Sequence, residues 1–332
     1  MKILVTGCAG FIGMHLSKKL LEAGYDVIGI DNLNDYYQVS LKESRLKKLI
    51  FHSNFDFHKI DISCRKDMSN FFSKNRFNVI FHLAAQPGVR FSVDCPQAYV
   101  DNNLVGFANI LEGAKTSNVG HFVFASSSSV YGSNEKIPFS EDDVVDQPLS
   151  FYAATKKANE IMAFSYSSLF QIPTTGLRFF TVYGPWGRPD MSPFLFTKAI
   201  FNNEPIKIFN HGNMMRDFTY IDDVIEAIMR IFNKPPSYTN SVNNSSSKYA
   251  PFQLLNIGNN SPVQLLNYIN ELELAVGKIT KKLLLPMQLG DVSKTMADTD
   301  KLEALIGFKP QTSLRCGIKK FISWYKDYYG GT

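Results

Sequence analysis

Tyr152 and Lys156 stand four residues apart in "FYAATKKANE", which places them on one face of a predicted helix. A tyrosine acts as a base only when its phenol loses its proton near neutral pH, and moving that pKa from about 10 to near 7 takes roughly 4 kcal/mol. An ammonium about 4 Å away in a half-buried site supplies energy of that order. Lys156 is therefore expected to make Tyr152 a general base. Shortly before them, "FASSSSVYG" sets Ser126 to Ser129 at the end of a strand-like run. Buried hydroxyls at such a place need partners, and these are neutral where acids would fit equally well.

At the other end of the chain, Gly7, Gly10 and Gly13 form G-x-x-G-x-x-G directly after "KILVTG", with Phe11 and Ile12 opening a helical pattern that continues at Leu16, Leu20 and Leu21. Without side chains the backbone turns tightly and approaches a pyrophosphate, whose charge then faces the helix N-terminus. Asp31 closes a second strand-like run, "DVIGID", where a carboxylate accepts both ribose hydroxyls and repels a 2′-phosphate. No arginine follows in "DNLN", so NAD is favoured over NADP, with Asn32 and Asn34 in the same turn as cofactor candidates. Asp61 and Ile62 in "KIDIS" are lesser candidates near the adenine, and Leu83, Ala84, Ala85 and Asn103 are candidates for the cleft wall. The charge of the bound nicotinamide adds to that of Lys156 on Tyr152.

The elements that must position these residues alternate. Strand-like runs "KILVTG", "DVIGID", "VIFHLAA", "HFVFASS" and "TTGLRFF" are separated by helical patterns, among them 97–118 and 152–170. That rhythm implies an α/β fold with a parallel sheet covered on both faces. In such sheets ligands bind beyond the carboxyl ends of the strands. The expected architecture is a Rossmann-like doubly wound parallel sheet over residues 1–180, with a return segment near 215–234, and a smaller mixed α/β C-terminal substrate lobe over most of 181–332. The loop "VYGPWGRPDMSP" marks the change, helices are expected near 261–276 and 314–328, and the polar stretch 235–249 reads as a surface loop.

With 332 residues, 45% apolar and 20% charged, the chain has ordinary globular composition and no apolar run long enough to span a bilayer. The formal charge of +5 is spread out, with only short basic patches such as "RLKKL", which argues against a nucleic-acid partner. Cys8, Cys64, Cys95 and Cys316 lack paired or metal-type spacing, so neither disulfides nor a metal site is expected. The opening "MKILVTGCAG" enters a strand at once, without an export signal, and the cytoplasm is the expected location. His82 reads as a hydrogen-bonded core histidine.

With the glycine motif, the serine strand end and Y-x-x-x-K in this order, the chain resembles the extended short-chain dehydrogenases/reductases that act on nucleotide sugars, over nearly its whole length. The resemblance implies that Tyr152 takes the proton of a sugar hydroxyl while NAD takes the hydride from the same carbon, giving a 4-keto intermediate. It makes Ser127 the hydroxyl proton relay. Aligned on "VYG", the dehydratase branch carries T-D-E-V-Y-G, and the decarboxylase branch has glutamate at the second of the positions held here by Ser128 and Ser129. Neither acid is present, which leaves return of the hydride to the other face of the ketone. The stretches "NDYYQVSLKE", "SFYAATKKANE" and "GLRFFTVYGPWGRPDMSPFLFTKAI" are similar to the UDP-glucuronate 4-epimerase group. Neutral UDP-hexose epimerases usually have asparagine where Thr181 stands and lack "PWGRPD".

Arg188 in that loop is a candidate bidentate partner for a sugar carboxylate, an interaction worth about 1.5 to 3 kcal/mol. Once C4 is a ketone, the C6 carboxylate is β to it and leaves as carbon dioxide if the C5–C6 bond aligns with the carbonyl π system. Arg188, Thr181 and the serines at 127 to 129 are candidates to hold it out of that alignment. The resemblance further implies Arg216 at the pyrophosphate, Asp291 and Gln288 at the uridine ribose, Phe209 on uracil, and a homodimer through the Tyr152 helix and its predecessor. The rival readings are a UDP-glucuronate decarboxylase, a neutral UDP-hexose 4-epimerase and, from another class, a non-catalytic NAD-binding sensor, which typically lacks the tyrosine or the lysine.

Overall fold

A computed structural model describes residues 1–238, 249–288 and 290–330; residues 239–248 of the polar stretch read above as a surface loop lie outside the described residues. Six strands fall in the first 180 residues: β1 (Lys2–Thr6), β2 (Asp26–Asp31), β3 (Phe55–Lys59), β4 (Val79–His82), β5 (His121–Ser127) and β6 (Thr174–Phe179). They are followed by β7 (Thr181–Tyr183), β8 (Ile206–Ile208), β9 (Met215–Tyr220), β10 (Phe252–Ile257), β11 (Pro262–Gln264) and β12 (Lys282–Leu284). A seven-stranded sheet runs in the order β3-β2-β1-β4-β5-β6-β10, with every pair parallel. The chain is α/β, a Rossmann-like doubly wound parallel sheet. Its strand order reverses between β1 and β4, which opens a crevice at their carboxyl ends.

The inner strands read as unbroken apolar runs because both faces are covered. Helix α1 (Phe11–Glu22) begins one face, α2 (Val39–Lys47) follows β2, and α3 (Arg65–Lys74) begins the other face. The short α4 (Phe91–Asp94) comes next, and the helical pattern expected around 97–118 is α5 (Pro96–Tyr99), a π-helical segment Val100–Val105 and α6 (Gly106–Ser117). Single π turns inside helices often mark functional sites, and this one carries Asn102 and Asn103. The long helix α7 (Phe151–Phe170) packs beside α6, and Met68, Phe71, Phe72, Phe107, Ile110 and Ala163 form the core of this face.

Beyond β6 come α8 (Ser192–Phe201), α9 (Ile221–Phe232), α10 (Leu265–Val276), α11 (Asp300–Ile306) and α12 (Leu314–Tyr329). Within the stretch 215–234, β9 lies in a small sheet ordered β11-β9-β7, while α9 packs through Val224, Ile228 and Ile231 onto the same core as Leu16 and Leu20 of α1. Strand β10 also joins the large sheet as its edge. The small sheet, the parallel pair β8/β12 and helices α8, α10 and α12 make the second, mixed lobe. Among the described residues no helix is long and apolar enough to cross a membrane.

Candidate active site

A cleft of about 340 Å³ opens at the carboxyl ends of the central strands. Its floor is the glycine turn. Gly7 has φ +73, and a Cβ on it would lie 2.8 Å from the Ala84 amide nitrogen; one on Gly13 would lie 2.0 Å from the Gly7 carbonyl oxygen. Only glycine fits either place, so the turn is a bare backbone cradle of the kind a pyrophosphate requires. Asp31 sits at the rim, accepting from the Ala9 amide (3.1 Å) and the Leu33 amide (2.9 Å). Burial raises its pKa, and these amides with the Lys42 and Arg45 charges oppose the rise. The residues fit an NAD molecule.

Gly7, Gly10, Phe11, Ile12, Gly13, Asp31, Asn32 and Asn34 all line this cleft, as do Ile62, Leu83, Ala84 and Ala85. Asp61 stands one step back, its carboxylate accepting from Asn32 (2.9 Å) and the Ser63 amide (2.8 Å). Partial burial opposes its ionisation, but the Ser63 hydroxyl, which donates to it at 2.6 Å, with Asn32 and the Ser63 amide holds its pKa below the usual value. Asn103 lies behind the wall. Its amide accepts from the Gln86 amide nitrogen (2.8 Å) and donates to the Gln86 carbonyl and Thr155 hydroxyl (both 3.1 Å), tying the β4 exit to α7, while neighbouring Asn102 reaches the cleft.

Helix α7 starts where Ser150 accepts from the Ala153 amide (3.1 Å), a side-chain N-cap that sets the first turn carrying Tyr152. Tyr152, Lys156 and Ser127 to Ser129 line the cleft together. Burial pushes the Tyr152 phenol up; a Ser127 hydrogen bond and then the Arg188 charge pull it down, with a net rise. Burial holds Lys156 down at about 8, with Glu160 opposing, and its ammonium donates to the Ala125 carbonyl (3.0 Å). The Arg188 charge thus favours the Tyr152 phenolate in this site, and Lys156, the cation to which the sequence argument assigns that role, lines the same cleft.

The serines divide the work. Ser126 donates to Glu160 (2.6 Å), whose carboxylate also takes two bonds from Arg178 of β6 (2.8 and 2.9 Å). Ser127 accepts from the Ser129 amide (3.1 Å), which turns the chain into the short 3-10 helix Ser128–Tyr131 and brings Ser128 and Ser129 to the cleft. His82 is buried, paired with Thr6 (2.8 Å), and burial holds its pKa near 3. It is a neutral core residue.

Thr181 and Arg188 complete the opposite wall. Arg188 is not a free fork: its Nε and Nη2 donate to the two Asp190 oxygens (3.0 and 2.5 Å), and the Tyr36 hydroxyl donates to the same carboxylate (3.1 Å). Of five guanidinium donors, three remain for a substrate. Sequence reasoning passed over Tyr36, which lies in the quoted "NDYYQVSLKE" but 154 residues from Asp190.

Phe209, Arg216 and Asp291 do not line this cleft but gather beside it around Arg90, a residue no local signal singled out. Arg90 pairs with Asp291 (3.1 Å) and lies over the Phe209 ring at 4.7 Å. Arg216 donates to the Met215 and Ser293 carbonyls (2.9 and 3.2 Å) and feels both Asp291 and Arg90. The Gln288 carbonyl accepts from the Asp291 amide (3.3 Å), and its buried side-chain oxygen has no partner. The cluster adjoins the cleft at Val89, which lines it and faces Gly290.

The sequence profile of the NAD dependent epimerase/dehydratase family matches residues 3–243. A probable UDP-glucuronate 4-epimerase of Rhizobium meliloti is 48% identical over 334 residues, spanning 99% of this chain and 98% of that protein. The solved structure of a Bacillus cereus UDP-glucuronic acid 4-epimerase in complex with UDP-glucuronic acid and NAD is similar with a TM-score of 0.89 and 36% identity, over 99% of this chain and 100% of that one. A Thermotoga maritima UDP-glucose 4-epimerase with UDP-glucose has a TM-score of 0.86 and 29% identity, over 99% and 100%.

Proposed function

Because the chain belongs to the NAD dependent epimerase/dehydratase family, we propose that it interconverts UDP-glucuronate and UDP-galacturonate by inverting C4 through a 4-keto intermediate. The observation that supports this reading is a cleft that gathers Tyr152, Lys156 and Arg188 with Ser127, Ser128, Ser129 and Thr181, so that its cations face the sugar and no carboxylate stands among the serines. An arginine suits a uronate. Neutral hydroxyls cannot remove a second proton or assist loss of carbon dioxide.

Gly7, Gly10, Gly13 and Asp31 hold the cofactor, with Asn32, Asn34, Asp61, Ile62, Phe11, Ile12, Leu83, Ala84 and Ala85 around it and Asn103 supporting the wall. NAD, when bound, accepts hydride from C4 and returns it to the opposite face. The chain's own part is proton movement and orientation. Tyr152 takes the C4 hydroxyl proton on its phenol oxygen and later gives it back, and the Ser127 hydroxyl steadies the phenolate and passes the proton on. Lys156, held on the Ala125 carbonyl and favoured in its charged form by Glu160, keeps a positive charge beneath the reacting sugar. Arg188 meets the C6 carboxylate with the donors Asp190 leaves, and Thr181, Ser128 and Ser129 turn it out of line with the C4 carbonyl. The lobe formed mainly by 181–332 takes the UDP through Phe209, Arg216, Gln288 and Asp291. Exposed Ile161 and Leu169 on α7 support a homodimer packed through α7 and α6, and we place the enzyme in the cytoplasm with no membrane or nucleic-acid partner.

Incubation of the NAD-loaded protein with UDP-glucuronate tests the reading. The expected product has unchanged mass and a new retention time, matching UDP-galacturonate. A product lighter by carbon dioxide makes the enzyme a decarboxylase, and turnover of UDP-glucose alone makes it a neutral-sugar epimerase. Arg188→Ala is expected to weaken UDP-glucuronate binding by roughly tenfold or more and to release a UDP-pentose.

A further inference from the structure

The glycine turn and the loop that carries Arg188 meet at one residue. Arg45 of α2 is 0% exposed, and its guanidinium donates five hydrogen bonds, all to neutral oxygens. Nε and Nη2 donate to the Trp186 carbonyl (3.1 and 2.7 Å), Nη2 also to the Gly187 carbonyl (3.0 Å), and Nη1 to the Ala9 carbonyl (3.2 Å) and the Tyr37 hydroxyl (2.6 Å). A guanidinium has five N–H donors, so none is left over. Ala9 belongs to the glycine turn, and its own amide donates to Asp31 (3.1 Å). Gly187 is bonded directly to Arg188 along the chain. A continuous line therefore runs from Asp31 through the Ala9 peptide and Arg45 to the backbone that carries Arg188.

The loop at the far end of that line needs holding. Trp186 has φ +64, a region bulky side chains avoid and keep only where the surroundings over-determine it. Arg45 places two donors on that residue's carbonyl, and His15 of α1 donates to the preceding one, of Pro185, at 3.0 Å. The direction of the effect follows from charge. A buried cation among neutral oxygens, with the Asp31 carboxylate as a more distant partner, is stabilised when a further anion enters the glycine turn. Lysine does not replace it, because three donors on a single nitrogen cannot span carbonyls on two sides.

We propose that Arg45 is a positioning residue that couples filling of the dinucleotide cradle to the placement of Arg188 at the sugar carboxylate. The second half of that statement rests on the function proposed above. Two measurements test it. Hydrogen–deuterium exchange of peptides covering 184–191 is compared in protein stripped of NAD and reloaded; the Gly187 amide, bonded to the Gly184 carbonyl at 3.1 Å, is the reporter. Reloading is expected to slow exchange there about threefold or more in the wild type and to leave it unchanged in Arg45→Lys, although that variant binds one NAD. The fraction of UDP-glucuronate lost as UDP-pentose is expected to rise about fivefold in Arg45→Lys, with Arg45→Lys/Arg188→Ala no worse than Arg188→Ala alone. This ratio does not depend on how much of the protein is folded. Full NAD-dependent slowing with clean epimerisation in Arg45→Lys overturns the proposal. If that variant does not fold, Tyr37→Phe, which removes one of the four acceptors, is read by the same two criteria with a smaller effect. Failure of the wild type to convert UDP-glucuronate sinks the functional reading instead, and the exchange comparison, which needs only NAD, still decides on Arg45.

Discussion

The neighbours of the base at the centre of this site pull its pKa in opposite directions. Burial raises the Tyr152 phenol, while the Ser127 hydrogen bond and the Arg188 charge each favour the phenolate. Removing Ser127 takes away a group that stabilises the charged form, so the pKa moves up and a higher pH is needed to form the base. Ser127→Ala is therefore expected to shift the rising limb of the kcat/KM pH profile to higher pH, and to lower the rate at pH 7 roughly a hundredfold or more. A limb that stays in place assigns the base to another group. At this scale the sequence spoke clearly where chemistry is local: Tyr152 and Lys156 share a helix face, and the glycines share a turn. It was silent where side chains meet across the fold. Asp190 stands two residues from Arg188, yet nothing periodic in an irregular loop tells that its carboxylate takes two of the arginine's donors.

Tyr152, Lys156 and Glu160 recur at every fourth position of α7, so the element that presents the base also drives a carboxylate into the sheet. Glu160 is nearly inaccessible and receives Arg178 from β6 and Ser126 from β5. The pair pins the rotation of the helix against two strands, and with it the direction of Tyr152. Glu160→Gln leaves the buried guanidinium without a counter-charge and is expected to lower unfolding free energy by about 3 to 5 kcal/mol, read from urea melts. Glu160→Leu with Arg178→Met is expected to recover most of that loss; equal stability of Glu160→Gln and wild type contradicts the argument. The strands β1, β2, β4, β5 and β6 were readable because burial on both faces makes them continuous apolar runs. Strand β3, "FDFHK", is half-exposed at one edge and gives no such run. Strand β10 follows a polar stretch far along the chain, and its place beside β6 depends on a pairing 78 residues apart in sequence that no local pattern encodes.

Over the whole molecule, the two lobes are joined where charge from one meets charge from the other. Arg90 comes from the loop after β4, while Phe209, Arg216 and Asp291 come from the second lobe, and the two guanidiniums share a single carboxylate. One positive charge is left over beside the cleft, which favours an anionic ligand there and which a self-sufficient structural ion pair would not leave. The Arg90 side chain is half-exposed, so its bond to Asp291 contributes only about 0 to 1 kcal/mol to folding. Its contribution to an anionic ligand is larger, since a charge-assisted hydrogen bond adds about 1.5 to 3 kcal/mol. Arg90→Ala is therefore expected to leave the urea midpoint nearly unchanged while weakening UDP binding roughly ten- to a hundredfold, measured by calorimetry. Exposed charge is screened by salt, so the gap between wild type and variant should narrow as ionic strength rises. A variant that loses stability but keeps its affinity for UDP would mean that Arg90 fastens the lobes together and leaves the nucleotide to Arg216.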